Sequence, residues 1–234
     1  MKLRIVFFSL FVLGTFLYNP AFAEDEERKV PTFSEVNLRI PAKVYVEHGK
    51  KQSVEIVAKS STLEEIITEV KGRTLNIKFP NTSFLWKKFD PGKIEIYITM
   101  VEVDGLSVSG SGDIFAEEIE SKILDLSVSG SGDIVIEELV AKRISSSISG
   151  SGDITIKDGG VADDLSVSIS GSGDVKAIGF EALDVVVRIS GSGNCSVTSN
   201  GSIKARIAGS GNVTYGGNPS IDSSVAGSGR VKKL

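Results

Sequence analysis

Apolar and polar residues alternate along almost the whole chain from Phe33 onward. Val36, Leu38 and Ile40 open the pattern. Val44 and Val46, Val54 and Ile56, then Leu75, Ile77 and Phe79, and Ile94, Ile96 and Ile98 continue it. Alternation of β-branched residues with a period of two marks half-buried strands. From Leu106 the alternation becomes repetitive. Leu106-Ser-Val-Ser-Gly-Ser-Gly-Asp-Ile114 returns as Leu126 to Ile134, and Gly-Ser-Gly recurs at Gly150, Gly171, Gly191, Gly209 and Gly227. These seven copies are spaced 20, 20, 21, 20, 18 and 18 residues apart. A fixed period near twenty residues predicts a solenoid.

The copies can be laid over one another within this single chain. Two residues before each first glycine stand Val108, Val128, Ile148, Ile169, Ile189, Ile207 and Val225. Two residues earlier come Leu106, Leu126, Ser146, Val167, Val187, Ala205 and Ser223. After each corner come Ile114, Ile134, Ile154, Val175, Cys195, Val213 and Val231, and two residues on Ala116, Ile136, Ile156, Ala177, Val197, Tyr215 and Lys233. Side chains alternate across a strand, so these slots share one face. Stacking one coil on the next turns each slot into a ladder, and together the ladders make a core no single repeat could bury. Amphipathic helices do not fit segments of alternating Ser and Val, and helical crossovers need more chain than the period allows. The predicted fold is therefore all-β, a parallel β-helix (β-solenoid) with coils of about 20 residues and Gly-Ser-Gly corners. The segment 33–104 is expected to add about three coils, for a rod of about 50 Å at ~4.8 Å per coil.

The corners need residues that turn. The predicted structural turn positions are Gly110, Gly112 and Asp113; Gly130, Gly132 and Asp133; Gly150, Gly152 and Asp153; Gly171, Gly173 and Asp174; Gly191, Gly193 and Asn194; Gly209, Gly211 and Asn212; and Gly227 with Gly229 before Arg230. Glycine reaches positive φ without penalty, and Asp or Asn bonds nearby backbone donors. Between the repeats and the start, Ser61-Thr62-Leu63-Glu64 fits a capping box, and 63–68 reads equally as a helical turn or a strand. Glu24 to Lys29 reads as a charged, mobile tail.

Composition narrows the class. Lys2 and Arg4 precede an apolar run from Ile5 to Tyr18, with small residues at Ala21 and Ala23. This is the pattern of a secretory signal peptide, predicted to be residues 1–23, with one domain over 24–234. No later stretch reads as a membrane anchor. The formal net charge is −4, and −6 once Lys2 and Arg4 leave with the leader, which argues against nucleic acid as partner. Cys195 is the only cysteine, so no internal disulfide forms, and its slot in the repeat predicts a core hydrophobe.

Chemistry is sparse. Asp113, Asp133, Asp153 and Asp174 are expected to stack along one edge, where neighbours ~4.8 Å apart repel by about 0.9 kcal/mol in water. Water tolerates that cost, and Asn194, Asn212 and Arg230 occupy the same position, so no metal site is predicted. A carbohydrate-active enzyme needs paired carboxylates set apart in a cleft, whereas these carboxylates repeat in equivalent turns. His48, the only histidine, lies in a Glu-His-Gly-Lys turn. No catalytic residue and no cofactor is predicted. Outward serines form two rows, Ser107, Ser127, Ser147 and Ser168 leading to Arg188 and Arg206, and Ser109, Ser129, Ser149, Ser170 and Ser190. Outside the repeats, the loop 81–92 holds Phe84, Trp86, Lys87, Lys88 and Phe89; the favoured reading is that it folds over an open end or side of the sheet and buries its aromatics, and the other is an aromatic and cationic ligand-contact patch.

The series of Gly-Ser-Gly-Asp/Asn corners after an alternating segment, closing on Ala226-Gly-Ser-Gly-Arg-Val-Lys-Lys-Leu234, resembles the head GIN domain family, bacterial proteins described as auto-transporter adhesins. The likeness covers roughly Phe33 to Leu234. It implies a right-handed parallel β-helix related in shape to pectin-lyase folds, and an adhesive role without catalytic residues to carry over. Nothing here reads as a translocator barrel. The resulting expectation is an exported, non-catalytic binding or adhesion module of the periplasm, cell surface or extracellular space, with a glycan or an envelope or surface protein as partner. A periplasmic scaffold protein is the second reading.

Overall fold

The computed structural model describes residues 23–80 and 90–234. Eighteen strands among these residues join into one continuous sheet that coils around a single apolar core. The predicted leader, apart from its last residue Ala23, therefore lies outside the described residues, as does the loop segment 81–89 with Phe84, Trp86, Lys87, Lys88 and Phe89.

Two long walls build each coil, and each Gly-Ser-Gly is the corner between them. One wall stacks β8 (Gly105–Gly110), the second halves of β9 (Asp113–Gly130) and β10 (Ile134–Gly150), β12 (Val161–Gly171), the second half of β13 (Val175–Gly191), β15 (Ser202–Gly209) and β17 (Ser220–Gly227). Its outer face is rich in serine, so it is called the serine wall. The other, the front wall, stacks the first parts of β9, β10 and β13 with β11 (Ile154–Gly159), β14 (Cys195–Thr198), β16 (Asn212–Gly216) and β18 (Arg230–Lys233). All these pairings are parallel and follow the repeat register. The ladder Val108, Val128, Ile148, Ile169, Ile189 and Ile207 is at most 3% exposed at every step. Its last member, Val225, is 39% exposed because nothing among the described residues stacks beyond β17.

The corners show why both glycines are needed. Gly150 has φ 140°, in the region that L side chains rarely enter. Gly152 has no such φ; a Cβ there would sit 2.0 Å from the Gly132 carbonyl oxygen of the preceding coil. The first glycine bends the chain and the second lets the coils touch.

The N-terminal part departs from the expected three sequential coils. It contributes two parallel coils, and they are out of order. β2 (Glu35–Leu38) lies on the serine wall between β6 (Thr74–Lys78) and β8. β3 (Lys43–His48) lies on the front wall between β7 (Glu95–Met100) and β9. The first coil in sequence is thus the second in space. The remaining strands turn back: β4 (Ser53–Lys59) runs antiparallel to β7, and β5 (Ile67–Lys71) antiparallel to β6. They close this end with one helical turn, α1 (Ser60–Leu63), and with buried Leu63 and Ile66. The capping box does not form; Lys59 is the N-cap residue, with no side-chain hydrogen bond, and Thr62 instead donates its hydroxyl to the Pro91 carbonyl at 2.9 Å. The acidic segment expected to be a mobile tail is also a strand. β1 (Ala23–Glu27) pairs antiparallel with β4, from Ala23 against Lys59 to Glu27 against Glu55. As an edge strand it satisfies its backbone on one side while its carboxylates stay in water.

Candidate functional site

The aspartate corners form a hydrogen-bonded column. The amide of Asp133 donates to Asp113 Oδ1 at 3.1 Å, that of Asp153 to Asp133 at 2.8 Å, and that of Asp174 to Asp153 at 2.9 Å. Asn194 continues the column on Asp174 at 2.8 Å, and Asn212 on Asn194 at 3.2 Å. Each carboxylate oxygen therefore serves the coil above, and Asn does the same through its carbonyl. Lys176 donates to Asp153 Oδ2 at 2.6 Å, and that bond holds the lysine pKa above its ordinary value. No group of three or more His, Cys, Asp or Glu among the described residues is placed to hold a metal ion.

Cys195 is fully buried between Val175 and Val213. Burial, and to a lesser degree Asp174, pushes its thiol up to about 12, so it stays a protonated core thiol at neutral pH. His48 ends β3, and its Nε2–H donates to the Val101 carbonyl at 2.8 Å. Beside it, Glu47, Glu117, Glu118 and Glu138 line a recess of about 350 Å³. These side chains come from different coils but do not converge on one point.

The serine rows of the repeats extend further than their serines suggest. On the outer face of the serine wall, Asn76, Asn37, Ser107, Ser127, Ser147, Ser168, Arg188, Arg206 and Ser224 stand in register, one per strand. At its start Asn37 Nδ2 donates to Asn76 Oδ1 at 3.3 Å, and Ser109 donates its hydroxyl to Asn37 Oδ1 at 3.2 Å. Near its end, Ser168, Ser170, Arg188, Ser190, Arg206 and Ser224 line a shallow depression of about 300 Å³. The Arg206 guanidinium forks onto Asp222 at 2.9 and 3.2 Å, which holds that carboxyl below its usual range. Arg188, one strand away, has no partner among the described residues. A free guanidinium among hydroxyls is a fixed positive charge with five donors, suited to a carboxylate, sulfate or phosphate group of a larger ligand.

A second feature was not singled out in the sequence. Tyr97, Tyr45 and Phe115 occupy one outward slot on β7, β3 and β9. Their rings stack at 5.2 and 5.6 Å between centroids, and Lys43 Nζ lies 5.8 Å from the Phe115 ring. Each aromatic sits between two buried residues, as in Val44-Tyr45-Val46, so strand parity alone signals that it points outward. What the sequence hides is that β3 lies between β7 and β9.

Comparisons with known proteins cover most of the chain. The family model described as "Putative auto-transporter adhesin, head GIN domain" matches residues 32–219. A "putative adhesin" from Bacteroides fragilis NCTC 9343 superposes with a TM-score of 0.85 at 24% identity, over 92% of this chain and 98% of that one. A "putative lipid binding protein" from Parabacteroides distasonis ATCC 8503 superposes with a TM-score of 0.73 at 25% identity, over 92% and 97%. A "putative adhesin" from Parabacteroides merdae ATCC 43184 gives 0.73 at 22% identity, over 92% and 97%. No curated protein matches the chain.

Proposed function

The chain belongs to the head GIN domain family, and from that premise we propose that it is an exported, non-catalytic module whose serine wall binds extended polar ligands, glycan chains or envelope proteins, at the cell envelope or surface. The observation that carries this reading is the row from Asn76 to Ser224. It puts hydrogen-bonding groups at the strand spacing along the whole rod, on a face held rigid by parallel pairing. A ligand that is itself a chain can meet many such groups at once, and weak contacts then add through effective concentration. Arg188 supplies the one unpaired charge within the depression and favours an anionic group there.

The glycine and Asp/Asn corners are on this reading scaffold and not site, because their polar groups are consumed between coils. A carbohydrate-active enzyme has less support: among the described residues the corner carboxylates are spent between coils, and Glu47, Glu117, Glu118 and Glu138 line their recess without converging on one point. A lipid-binding role, suggested by the description of one similar structure, also has less support: the interior is filled by aliphatic ladders.

The test measures binding of the purified chain to immobilised acidic and neutral polysaccharides. Salt-sensitive binding to the acidic polymer, weakened at least tenfold by Arg188→Glu, is expected. Binding unchanged by Arg188→Glu together with Ser168→Ala and Ser190→Ala removes the serine wall as the contact surface. Protease treatment of intact cells is expected to remove the chain if it stands at the surface, and to spare it if it is a periplasmic scaffold.

A further inference from the structure

We propose that copies of this chain assemble head to tail, the β17–β18 end of one joining the β1–β5 end of the next through a front wall that runs on across the junction. The proposal rests on what the two walls present at their edges. The front wall ends in β1 at one end and β18 at the other. The serine wall ends in β5 at one end and β17 at the other. A copy shifted along the rod therefore brings β18 against β1; the front wall reaches two strands beyond β7 and the serine wall one beyond β6, so β17 then faces β5 across one further strand spacing.

The front-wall meeting is matched in charge. Glu24, Asp25 and Glu27 of β1 are exposed and have no cation partner among the described residues, while Glu26 is bridged to Arg28 at 3.0 Å. Glu64 and Glu65, which follow α1 on the same end, are exposed carboxylates too. β18 offers Arg230, Lys232 and Lys233, all exposed. On the other wall, Ile221 and Val225 of β17 are 38% and 39% exposed in core-facing slots that are closed in earlier coils. Acidic edge meets basic edge, and the next copy covers the core slots left open at β17.

Chain direction agrees. β1 is antiparallel to β4 and β4 to β7, so β1 runs the same way as β7 and β18. Across the junction it would add as one more parallel strand. Edge strands usually repel their own kind by carrying like charge. Opposite charges at the two ends repel head-to-head and tail-to-tail encounters and leave only the heterologous contact, which does not close and so propagates.

Sedimentation velocity over a concentration series tests this. The expected result is a weight-average mass that rises past the dimer as concentration rises, and falls back toward the monomer in high salt. Arg230→Glu with Lys232→Glu and Lys233→Glu should weaken association at least tenfold, as should Glu24→Lys with Asp25→Lys and Glu27→Lys. Mixing these two variants should restore association, because each then offers the charge that the other lacks; restoration also shows that both are folded. Ile221→Lys probes the other wall and should weaken association without changing the circular dichroism. A chain that stays monomeric at millimolar concentration, stops at the dimer, or associates equally well after charge reversal overturns the proposal.

Discussion

Ser146 is a polar residue in an aliphatic ladder. It stands between Leu126 and Val167 on neighbouring coils, is 1% exposed, and its hydroxyl has no hydrogen-bond partner. A buried, unmatched hydroxyl costs about 1–3 kcal/mol. Ser146→Val would replace it with the residue found two coils along, in a backbone that already suits β-branched side chains. The expected outcome is a gain of about 1 kcal/mol, read as a higher midpoint in urea with an unchanged slope. The slot was legible in the sequence, since strand parity and the repeat put Ser146 in line with Leu106 and Leu126. The missing partner was not, because a neighbouring coil could have supplied one. Cys195 follows the same logic with the opposite result: its slot predicted core, and the fold buries it between two valines.

At the scale of the element, the corner is a shared structure in which each coil completes the one before it. Sequence comparison identified Asp and Asn as turn formers, and assigned their bonds to nearby backbone. The bonds run instead to the following coil, some twenty residues away, as from the Asp153 amide to Asp133 Oδ1 at 2.8 Å. A local reading could not find this, because only the stacked register brings the groups together. The consequence is testable at Asp133. Asp133→Asn retains an acceptor oxygen, as the native Asn194 does toward Asn212, and is expected to change stability by less than about 0.5 kcal/mol. Asp133→Ala removes the acceptor and leaves the half-buried Asp153 amide short of a partner, at an expected cost of about 1–2 kcal/mol. Thermal melts of the two variants separate the roles. Equal melting temperatures for Asn and Ala would show that the column does not hold the coils.

At the scale of the whole molecule, the repeat made the solenoid legible but its two ends were not. No twenty-residue repeat runs through 33–104, so nothing in the sequence showed that β2–β3 slots between β6–β7 and β8–β9, or that β1, β4 and β5 turn back to close one end. That closure makes the ends unequal. Leu63 and Ile66 are buried at one, while every residue of β17 is exposed at the other. In a solenoid each coil is held mainly by its neighbours, so a coil with one neighbour opens first. Hydrogen exchange should therefore run as a gradient along the rod. In dilute protein at high salt, where the ends are kept apart, amides of β17 and β18 should exchange orders of magnitude faster than those of β10 and β12, which pair on both sides. β4 should stay protected, since it pairs with β1 as well as β7. As concentration rises and salt falls, head-to-tail joining would slow exchange in β17, β18 and β1 together while leaving the central coils unchanged. Protection of β17 and β18 equal to that of β12 in dilute protein would mean that this end is not open, and would remove the reason for copies to join there.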